Sequence, residues 1–264
     1  MKLNEIIVIT SGTGGVGKTT TAANIGAGLA SRGKKVALID TDTGLRNLDL
    51  VLGVESHICY TLIDVAKGKI SYEKALIRHP QYHTLYLLPT SQKYDKSAIN
   101  GNDLTKICKQ MRNSFDFIII DCPAGIEQGF KTAIAAANTA IIVTMPEMAA
   151  LRDADKVVGE LNRADFTDIK LIINRIRPDM VSRGDMLDIT DIKDILGVTV
   201  IGQIPDEEAI IKSTNRGQPV IEDKSSLAAQ AYRDITCRLC GETVPFLDLS
   251  CKSSFFGKLK HLFK

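Results

Sequence analysis

A stretch near the amino terminus has the residue types and spacing of a phosphate-binding loop. Residues 5–26 read EIIVITSGTGGVGKTTTAANIG, an apolar strand followed by a glycine turn and the start of a helix. The residues that match the pattern G-x-x-x-x-G-K-[ST] are Gly12, Gly17, Lys18 and Thr19. In such a loop backbone N–H groups surround a phosphate, the lysine reaches the β- and γ-phosphates, and the threonine holds Mg²⁺. The pattern predicts a nucleoside triphosphate and Mg²⁺ as cofactors.

The same glycines allow a second interpretation. Gly12, Gly14 and Gly17 also have G-x-G-x-x-G spacing, and Asp40 closes the next strand, as in a dinucleotide-binding unit. An ammonium and a hydroxyl directly after the third glycine have no role in a dinucleotide loop, whereas a triphosphate with Mg²⁺ needs both. We therefore favour the triphosphate. The loop residues predicted to bind it are Gly12, Gly14, Gly15, Val16, Gly17, Lys18, Thr19 and Thr20.

Carboxylates follow two apolar strands. Asp40 ends KKVALID, Asp42 lies two residues later, and Asp121 ends FDFIIID. Ligands of open parallel sheets bind at the carboxyl ends of the strands. There Asp42 can orient a water for attack on a γ-phosphate, and Asp121 can support Mg²⁺. The plainer alternatives are a loop with a helix cap at residues 40–42 and an ordinary turn after Asp121. If the carboxylates do face a γ-phosphate, Gly125 is predicted to act as the hinge of a switch segment beside it.

Polar residues close two later strands. Asn174 and Arg175 end IKLIINR, and Pro205 and Asp206 follow VTVIGQI. The amide of Asn174 can form two hydrogen bonds with a purine edge, so these four residues are predicted to contact the base. A polar residue at the end of a strand is also common without any ligand.

The composition is that of one α/β enzyme. The chain has 264 residues, 44% hydrophobic and 24% charged, with a net charge of +2, so its overall charge does not require nucleic acid as a partner. No apolar run approaches the length of a membrane span. The six cysteines are expected to be reduced, and Cys237 and Cys240, in an apparent helix, are not expected to bind metal.

The elements that must position these residues alternate between strand and helix. We predict a single-domain, three-layer P-loop NTPase fold, with a mostly parallel twisted sheet and helices on both faces. Beyond the strand that ends at Asp40, the predicted strands are 84–89, 115–121, 140–146, 169–175 and 198–205. The predicted helices are about 17–32, 104–111 and 151–161, with short helical patterns at 62–66 and 75–77.

The chain is predicted to divide into an ATPase domain, residues 1–245, and a linker with a carboxyl-terminal helix, residues 246–264. Its last ten residues, FFGKLKHLFK, place apolar side chains on one face of a helix and lysines at the other face or its margin. The residues predicted to contact an anionic membrane are Phe255, Phe256, Lys258, Leu259, Lys260, Leu262 and Phe263. The alternative is a helix docked on the protein's own core.

Four segments together resemble the MinD/ParA family of deviant Walker A ATPases, and within it the members that place the cell-division site. They are the phosphate loop, ALIDTDTGLRNLDLVLG, FIIIDCPAGIEQG and VSRGDML. The resemblance implies an ATP-dependent homodimer. It also implies that Asp40, Asp42 and Asn47 belong to a first switch, that Asp121 and Gly125 belong to a second, and that Thr19, Asp40 and Asp121 surround Mg²⁺. The implied catalytic groups are Asp42 and Lys18.

The resemblance also implies partners and a location. It implies a division inhibitor of the MinC kind, a topological regulator of the MinE kind, and a peripheral position on the inner face of the cell membrane, with no nucleic acid. Two other functions remain open: a DNA-partitioning ATPase of the ParA kind, which would need a basic surface for duplex DNA, and a nucleotide-binding scaffold without catalysis.

One position departs from the family. Its members have a signature lysine after the first glycine, and this chain has Thr13. The family's lysine reaches the phosphates of the partner subunit, which a threonine is too short and uncharged to do. Loss of such a charge can lower the rate of phosphoryl transfer by about 10³ or more. Two outcomes remain open: dimerisation and hydrolysis are impaired, or another basic residue such as Arg46 compensates.

Overall fold

The computed structural model describes residues 4–43, 45–94 and 98–249. The strands are β1 (Glu5–Thr10), β2 (Val36–Asp40), β3 (Ile77–Arg78), β4 (Leu85–Leu88), β5 (Phe117–Asp121), β6 (Thr139–Thr144), β7 (Ile169–Ile176) and β8 (Thr199–Pro205). The longer helices are α1 (Lys18–Ser31), α5 (Gly101–Met111), α6 (Gln128–Ile134), α7 (Met148–Arg163), α9 (Ile189–Leu196), α10 (Glu208–Thr214) and α11 (Leu227–Leu239). The short helices are α2 (Leu48–Leu52), α3 (Leu62–Ala66), α4 (Tyr72–Ala75) and α8 (Pro178–Ser182).

The described strands form one eight-stranded sheet in the order β3-β4-β2-β5-β1-β6-β7-β8. All neighbouring strands are parallel except β3, which runs antiparallel to β4 at one edge. Successive residues of β1 enter opposite layers of the core: Ile7 and Ile9 pack in one, and Ile6 and Val8 in the other. A strand buried on both faces reads as an uninterrupted apolar run, which explains EIIVIT. The predicted three-layer α/β fold is confirmed.

The prediction for residues 75–77 was wrong. The helical pattern there ends with α4 at Ala75, and Ile77 begins a two-residue strand that pairs with Leu87. Pairing with the sheet edge overrides the local helical pattern because it supplies hydrogen-bond partners to an edge that would otherwise lack them.

Strand register places the predicted carboxylates side by side. Asp40 is opposite Asp121 in the β2–β5 pair, and Ile9 of β1 is opposite Asp121 in the β1–β5 pair. The phosphate loop leaves β1 directly after this point. No helix of the described residues is long and apolar enough to cross a membrane. The predicted membrane helix and its residues, 255–263, lie outside the described residues.

Candidate nucleotide site

The phosphate loop connects β1 to α1 in a turn that requires glycine. Gly17 adopts φ +99°, in the left-handed region, and is the residue before α1 begins. A Cβ at Gly17 would lie 2.4 Å from Nδ2 of Asn174, so the position also lacks space for a side chain. The first turn of α1 contains no acidic residue, and Gly17 provides no side-chain cap. Its N–H groups and the positive end of its dipole therefore suit an anion such as a phosphate.

The other loop residues differ in exposure. Gly14 and Gly15 are exposed, Val16 is buried, and Thr19 and Thr20 are partly buried at the start of α1. Lys18 is largely buried. The exposed glycine backbone can approach a ligand closely, as the sequence interpretation requires.

Two carboxylates are buried at the adjacent strand ends. Oδ1 of Asp40 accepts the backbone N–H of Asp42 at 2.9 Å. Within the described residues, Oδ2 of Asp40 and Oδ1 of Asp121 have no hydrogen-bond partner. Burial, and next the charge of Asp121, raises the pKa of Asp40 well above its usual range. The site thus contains buried acceptors whose charge the protein itself only partly compensates.

Lys18 and Thr19 influence the pKa of Asp121. Burial raises the pKa of Asp121 to about 7, against the hydrogen bond of Thr19 and the positive charge of Lys18, which lower it. A divalent cation would favour the ionised form of both carboxyls. The oxygen donors Thr19, Asp40 and Asp121 fit Mg²⁺, which is usually held by one or two carboxylates, waters and substrate phosphates. The described residues contain no group of three or more His, Cys, Asp or Glu side chains placed to hold a metal ion by themselves.

The two predicted switch segments are tied to the strand ends by backbone hydrogen bonds. The N–H and hydroxyl of Thr41 both donate to the carbonyl of Asp121, at 3.1 and 2.7 Å. The N–H of Gly125 donates to the carbonyl of Ser11 at 3.0 Å, which joins the segment after β5 to the start of the phosphate loop. Direct hydrogen bonds therefore join the two predicted switch segments to the end of β5 and to the start of the phosphate loop.

Asp42 and Asn47 lie on the first of these segments. Asp42 is partly buried, and its negative charge contributes to raising the pKa values of Asp40 and Asp121. Asn47 is exposed and precedes α2, where its carbonyl accepts the N–H of Val51. The structure thus places Asp42 beside the buried carboxylates and Asn47 at the outer end of the segment.

Thr13 contacts a helix distant in sequence. Its hydroxyl donates to Oδ2 of Asp153 on α7 at 2.8 Å, and the other oxygen of Asp153 pairs with Lys156 at 3.0 Å. The backbone of Asp153 also approaches Gly12 so closely that a Cβ there would lie 2.4 Å from its carbonyl oxygen. No sequence pattern predicts this contact, because Thr13 and Asp153 are 140 residues apart.

Arg46, the residue considered as a replacement for the signature lysine, is already paired. Its Nε lies 3.0 Å from Oδ2 of Asp49, whose side chain is fully buried in α2. Its backbone has φ +40°, an uncommon conformation for a residue with a side chain. To act elsewhere, Arg46 would have to leave a buried carboxylate unpaired, which is costly. In this arrangement Arg46 stabilises its own segment.

The side chain of Asn174 forms hydrogen bonds within the protein. Its Nδ2 donates to the carbonyl of Val16 at 2.7 Å, and its Oδ1 accepts the N–H of Arg175 at 2.9 Å. The side chain therefore holds the phosphate loop against β7, a role that the sequence interpretation missed. The predicted contact with a purine remains a prediction.

The other predicted base contacts lie at the same sheet edge. Arg175 is exposed, with φ +57°, in an irregular part of the β7–β8 pair. The buried Pro205 ends β8, and the N–H of the exposed Asp206 donates to the carbonyl of Ile176. These three residues adjoin Asn174, but their contact with a base stays a prediction.

Comparison with known proteins shows what the chain is similar to. The AAA domain family matches residues 4–173. The septum site-determining protein MinD of Synechocystis sp. is 53% identical over 247 residues, which cover 93% of this chain and 93% of that protein.

Solved structures agree. The MinC:MinD cell division protein complex of Aquifex aeolicus matches with 47% identity and a TM-score of 0.87, over 92% of this chain and 99% of that chain. The septum site-determining protein MinD of Pyrococcus horikoshii, solved with Mg-ADP, matches with 32% identity and a TM-score of 0.81, over 89% and 95%. The likeness is thus to whole proteins and not to a shared motif.

Proposed function

The chain belongs to the MinD family of cell-division ATPases, and from this we propose that it is an ATP-dependent membrane switch that places the division site. The observation that carries the proposal is the buried pair Asp40 and Asp121 beside Lys18, at the end of a phosphate loop. Such a pair has acceptors left over for a cation and its nucleotide.

Each residue has a role in the proposed mechanism. The N–H groups at the start of α1 and the ammonium of Lys18 hold the β- and γ-phosphates. Thr19, Asp40 and Asp121 would hold Mg²⁺, and the ion would neutralise phosphate charge. Asp42 orients the attacking water. Loss of the γ-phosphate frees the segments around Asp42 and Gly125, which are tied to the loop and strand ends by the hydrogen bonds described above.

Membrane association is assigned to residues 246–264. Four lysines and no acidic residue lie in the last fifteen residues, and each lysine near an anionic surface contributes roughly 1 kcal/mol. One tail binds weakly because ordering it costs conformational entropy. Two tails in an ATP-dependent homodimer bind far more tightly through their effective concentration. We therefore place the protein in the cytoplasm and on the inner face of the cell membrane, with nucleotide state deciding between the two.

The proposed partners follow from the family. The related MinD of Aquifex aeolicus was solved as a MinC:MinD complex, and we extend to this chain the recruitment of a division inhibitor of the MinC kind. A topological regulator of the MinE kind would stimulate hydrolysis and so release the protein from the membrane.

Thr13 favours a second candidate, a nucleotide-binding scaffold that does not hydrolyse ATP. Its hydroxyl donates to Asp153, and Arg46, the residue considered as a replacement for the signature lysine, is paired with Asp49. In this arrangement neither side chain provides a free cation at the mouth of the loop. Nucleotide binding is retained in this candidate, because the buried residues of the site do not involve Thr13.

Co-sedimentation with anionic vesicles, with ADP or ATP, tests these candidates while phosphate release is followed. The chain is compared with Thr13→Lys. If this chain sediments only with ATP and releases phosphate, the switch operates without the signature lysine. If only Thr13→Lys does so, this chain is a nucleotide-binding member disabled at the dimer step.

A DNA-binding measurement completes the test. Salt-sensitive binding to duplex DNA, together with no binding to vesicles by either protein, would overturn the proposal in favour of a DNA-partitioning ATPase.

A further inference from the structure

An apolar cavity of about 290 Å³ lies beside the ends of β7 and β8, under α8 and α9. Its walls include Ile173 and Ile176 from β7, Val181 from α8, and Ile189 and Ile192 from α9. It is separate from the phosphate loop, and none of the catalytic roles assigned above uses it. A cavity with such walls suits an aliphatic or aromatic side chain.

The end of the described chain leads directly into this cavity. After α11, the guanidinium of Arg238 donates to the carbonyls of Val244 and Pro245 and stacks over the ring of Phe246. Gln203 of β8 then donates to the carbonyl of Leu247 at 2.7 Å. Leu249, the last described residue, is itself part of the cavity wall. Successive contacts thus fix the path of residues 244–249 to the cavity mouth.

The remaining chain can reach back over the cavity. Residues 250–254 are five residues long, and a fully extended chain spans at most about 3.6 Å per residue, roughly 18 Å here. The next two residues are Phe255 and Phe256, the first apolar residues of the amphipathic pattern. An aromatic pair therefore lies within easy reach of an apolar cavity.

Charge also matches between the two segments. Residues 178–196, which form α8 and α9 and their connection, contain five aspartates against one arginine and one lysine. Asp179 and Asp185 already pair with Arg177 and Arg183. The aspartates of α9 and its N-cap, Asp188, Asp191 and Asp194, carry the remaining negative charge of this surface. Residues 250–264 contain four lysines and no acidic residue. Asp188, at the cavity wall, belongs to the acidic set. Opposite charges around an apolar contact favour binding of residues 250–264 to this surface over binding to a surface without such charges.

We propose that residues 250–264 dock on this surface of their own chain, with Phe255 or Phe256 in the cavity and the lysines facing Asp188, Asp191 and Asp194 of α9 and its N-cap. The same apolar face is then unavailable to a membrane until it is released. Because Ile173 and Ile176 flank Asn174 and Arg175 in β7, the docking site adjoins the predicted base contacts. The regulatory consequence rests on the proposed membrane function, whereas the docking itself does not.

A single tryptophan tests the docking without nucleotide or vesicles. The chain contains no tryptophan, so Phe256→Trp places the only one in the tail. Docking predicts a blue-shifted emission and acrylamide quenching several-fold weaker than in the same protein unfolded in urea. An emission and a quenching equal to those of the unfolded protein would overturn the proposal.

A matched pair of substitutions tests whether the tryptophan at position 256 binds in the cavity. In the Phe256→Trp background, Val181→Glu puts a charge into the cavity and is expected to shift the emission to the red and raise quenching several-fold. Ile195→Glu is the control, because Ile195 lies on α9 with 48% of its surface exposed and does not line the cavity. A tryptophan that stays protected with Val181→Glu lies elsewhere, which contradicts the proposal.

A tail variant keeps the test decisive if Val181→Glu disturbs folding. Lys258→Gln with Lys260→Gln leaves the described domain untouched and is expected to raise quenching at low salt. Protection that is unchanged by both this variant and salt, or that appears only at high protein concentration, would overturn docking on the same chain.

Vesicle binding tests the regulatory consequence separately. With ADP, binding to anionic vesicles is expected to be stronger for Val181→Glu than for Ile195→Glu. If neither binds vesicles, the membrane function fails while the tryptophan result still stands.

Discussion

The two ends of the phosphate loop are built differently. The buried end comprises Lys18, Asp40 and Asp121, whose exposed fractions are 8%, 1% and 1%. The rim comprises Thr13, Asp153 and Lys156, and the side chains of the last two are 37% and 59% exposed. In the buried end, carboxylate oxygens lack partners within the described residues. In the rim, Asp153 receives one donor on each oxygen.

This difference separates nucleotide binding, which uses the buried end, from dimerisation and hydrolysis, which are expected to use the rim. Charges in the buried end interact strongly because water is excluded, and their imbalance is what a nucleotide and Mg²⁺ can relieve. The rim groups are paired and solvated, and such pairs contribute little. Thr13, the position at which the sequence is predicted to depart from its family, lies in the rim. We therefore expect nucleotide binding to survive and only steps that use the rim to change.

The largest expected effect is in the buried end. Lys18→Ala should weaken ATP binding by about 2 to 5 kcal/mol, since it removes a largely buried charge partner of the phosphates. Lys156→Ala is the matched rim control and should change binding by less than about 1 kcal/mol. Titration with a fluorescent ATP analogue measures both. Equal losses for the two variants would abolish the distinction between the regions.

Asp121 should make stability depend on pH. Its pKa is about 7 in the folded protein and about 3.9 when unfolded. Its contribution is fully present below pH 4 and is lost as the pH rises through 7, on the order of 4 kcal/mol in total.

Asp121→Asn removes this loss, so the variant should be more stable than the parent at pH 8 and should lose that advantage near pH 4. Urea unfolding at both pH values provides the measurement. Asp153→Asn serves as the rim control, because the hydrogen bonds of Lys156 and Thr13 lower the pKa of Asp153 instead. An unchanged difference between parent and Asp121→Asn across this pH range would show that folding does not raise the pKa of Asp121.

The connection between the loop and β7 should have an intermediate effect. Asn174→Ala leaves the carbonyl of Val16 without its buried donor, which costs about 1 to 3 kcal/mol of unfolding free energy. Asn162→Ala, at an exposed position of α7, should stay within about 0.5 kcal/mol of the parent. Denaturant unfolding distinguishes them, and a cost for Asn174→Ala no larger than the control would mean that the loop holds its shape without this contact.

The smallest effect is expected at Thr13. Thr13→Val keeps the shape and removes the hydroxyl that contacts Asp153, so unfolding free energy should change by no more than about 0.5 kcal/mol. ATP affinity, measured by the same titration as above, should not change. A loss above about 1 kcal/mol in either quantity would show that the rim stabilises the loop and would merge the two regions into one unit.

Several features were predictable because they are local. The phosphate loop needs glycine at fixed positions, and a parallel strand buried on both faces must read as an apolar run, so EIIVIT and FIIID identified β1 and β5. Residues 75–77 were predicted incorrectly because an edge strand is defined by its partner and not by its own pattern. The roles of individual site residues in binding remain predictions for the measurements above.

The sequence by itself determined which chemical groups stand at the strand ends, since a motif and a strand boundary are properties of neighbouring residues. Only the tertiary structure decided their partners. Thr13 meets Asp153 across 140 positions, and Asn174 meets Val16 across 158. It also decided that Asp40 and Asp121 are adjacent, buried and raised in pKa. Burial and electrostatic proximity depend on how β1, β2, β5 and β7 are ordered in the sheet, and no local pattern contains that order.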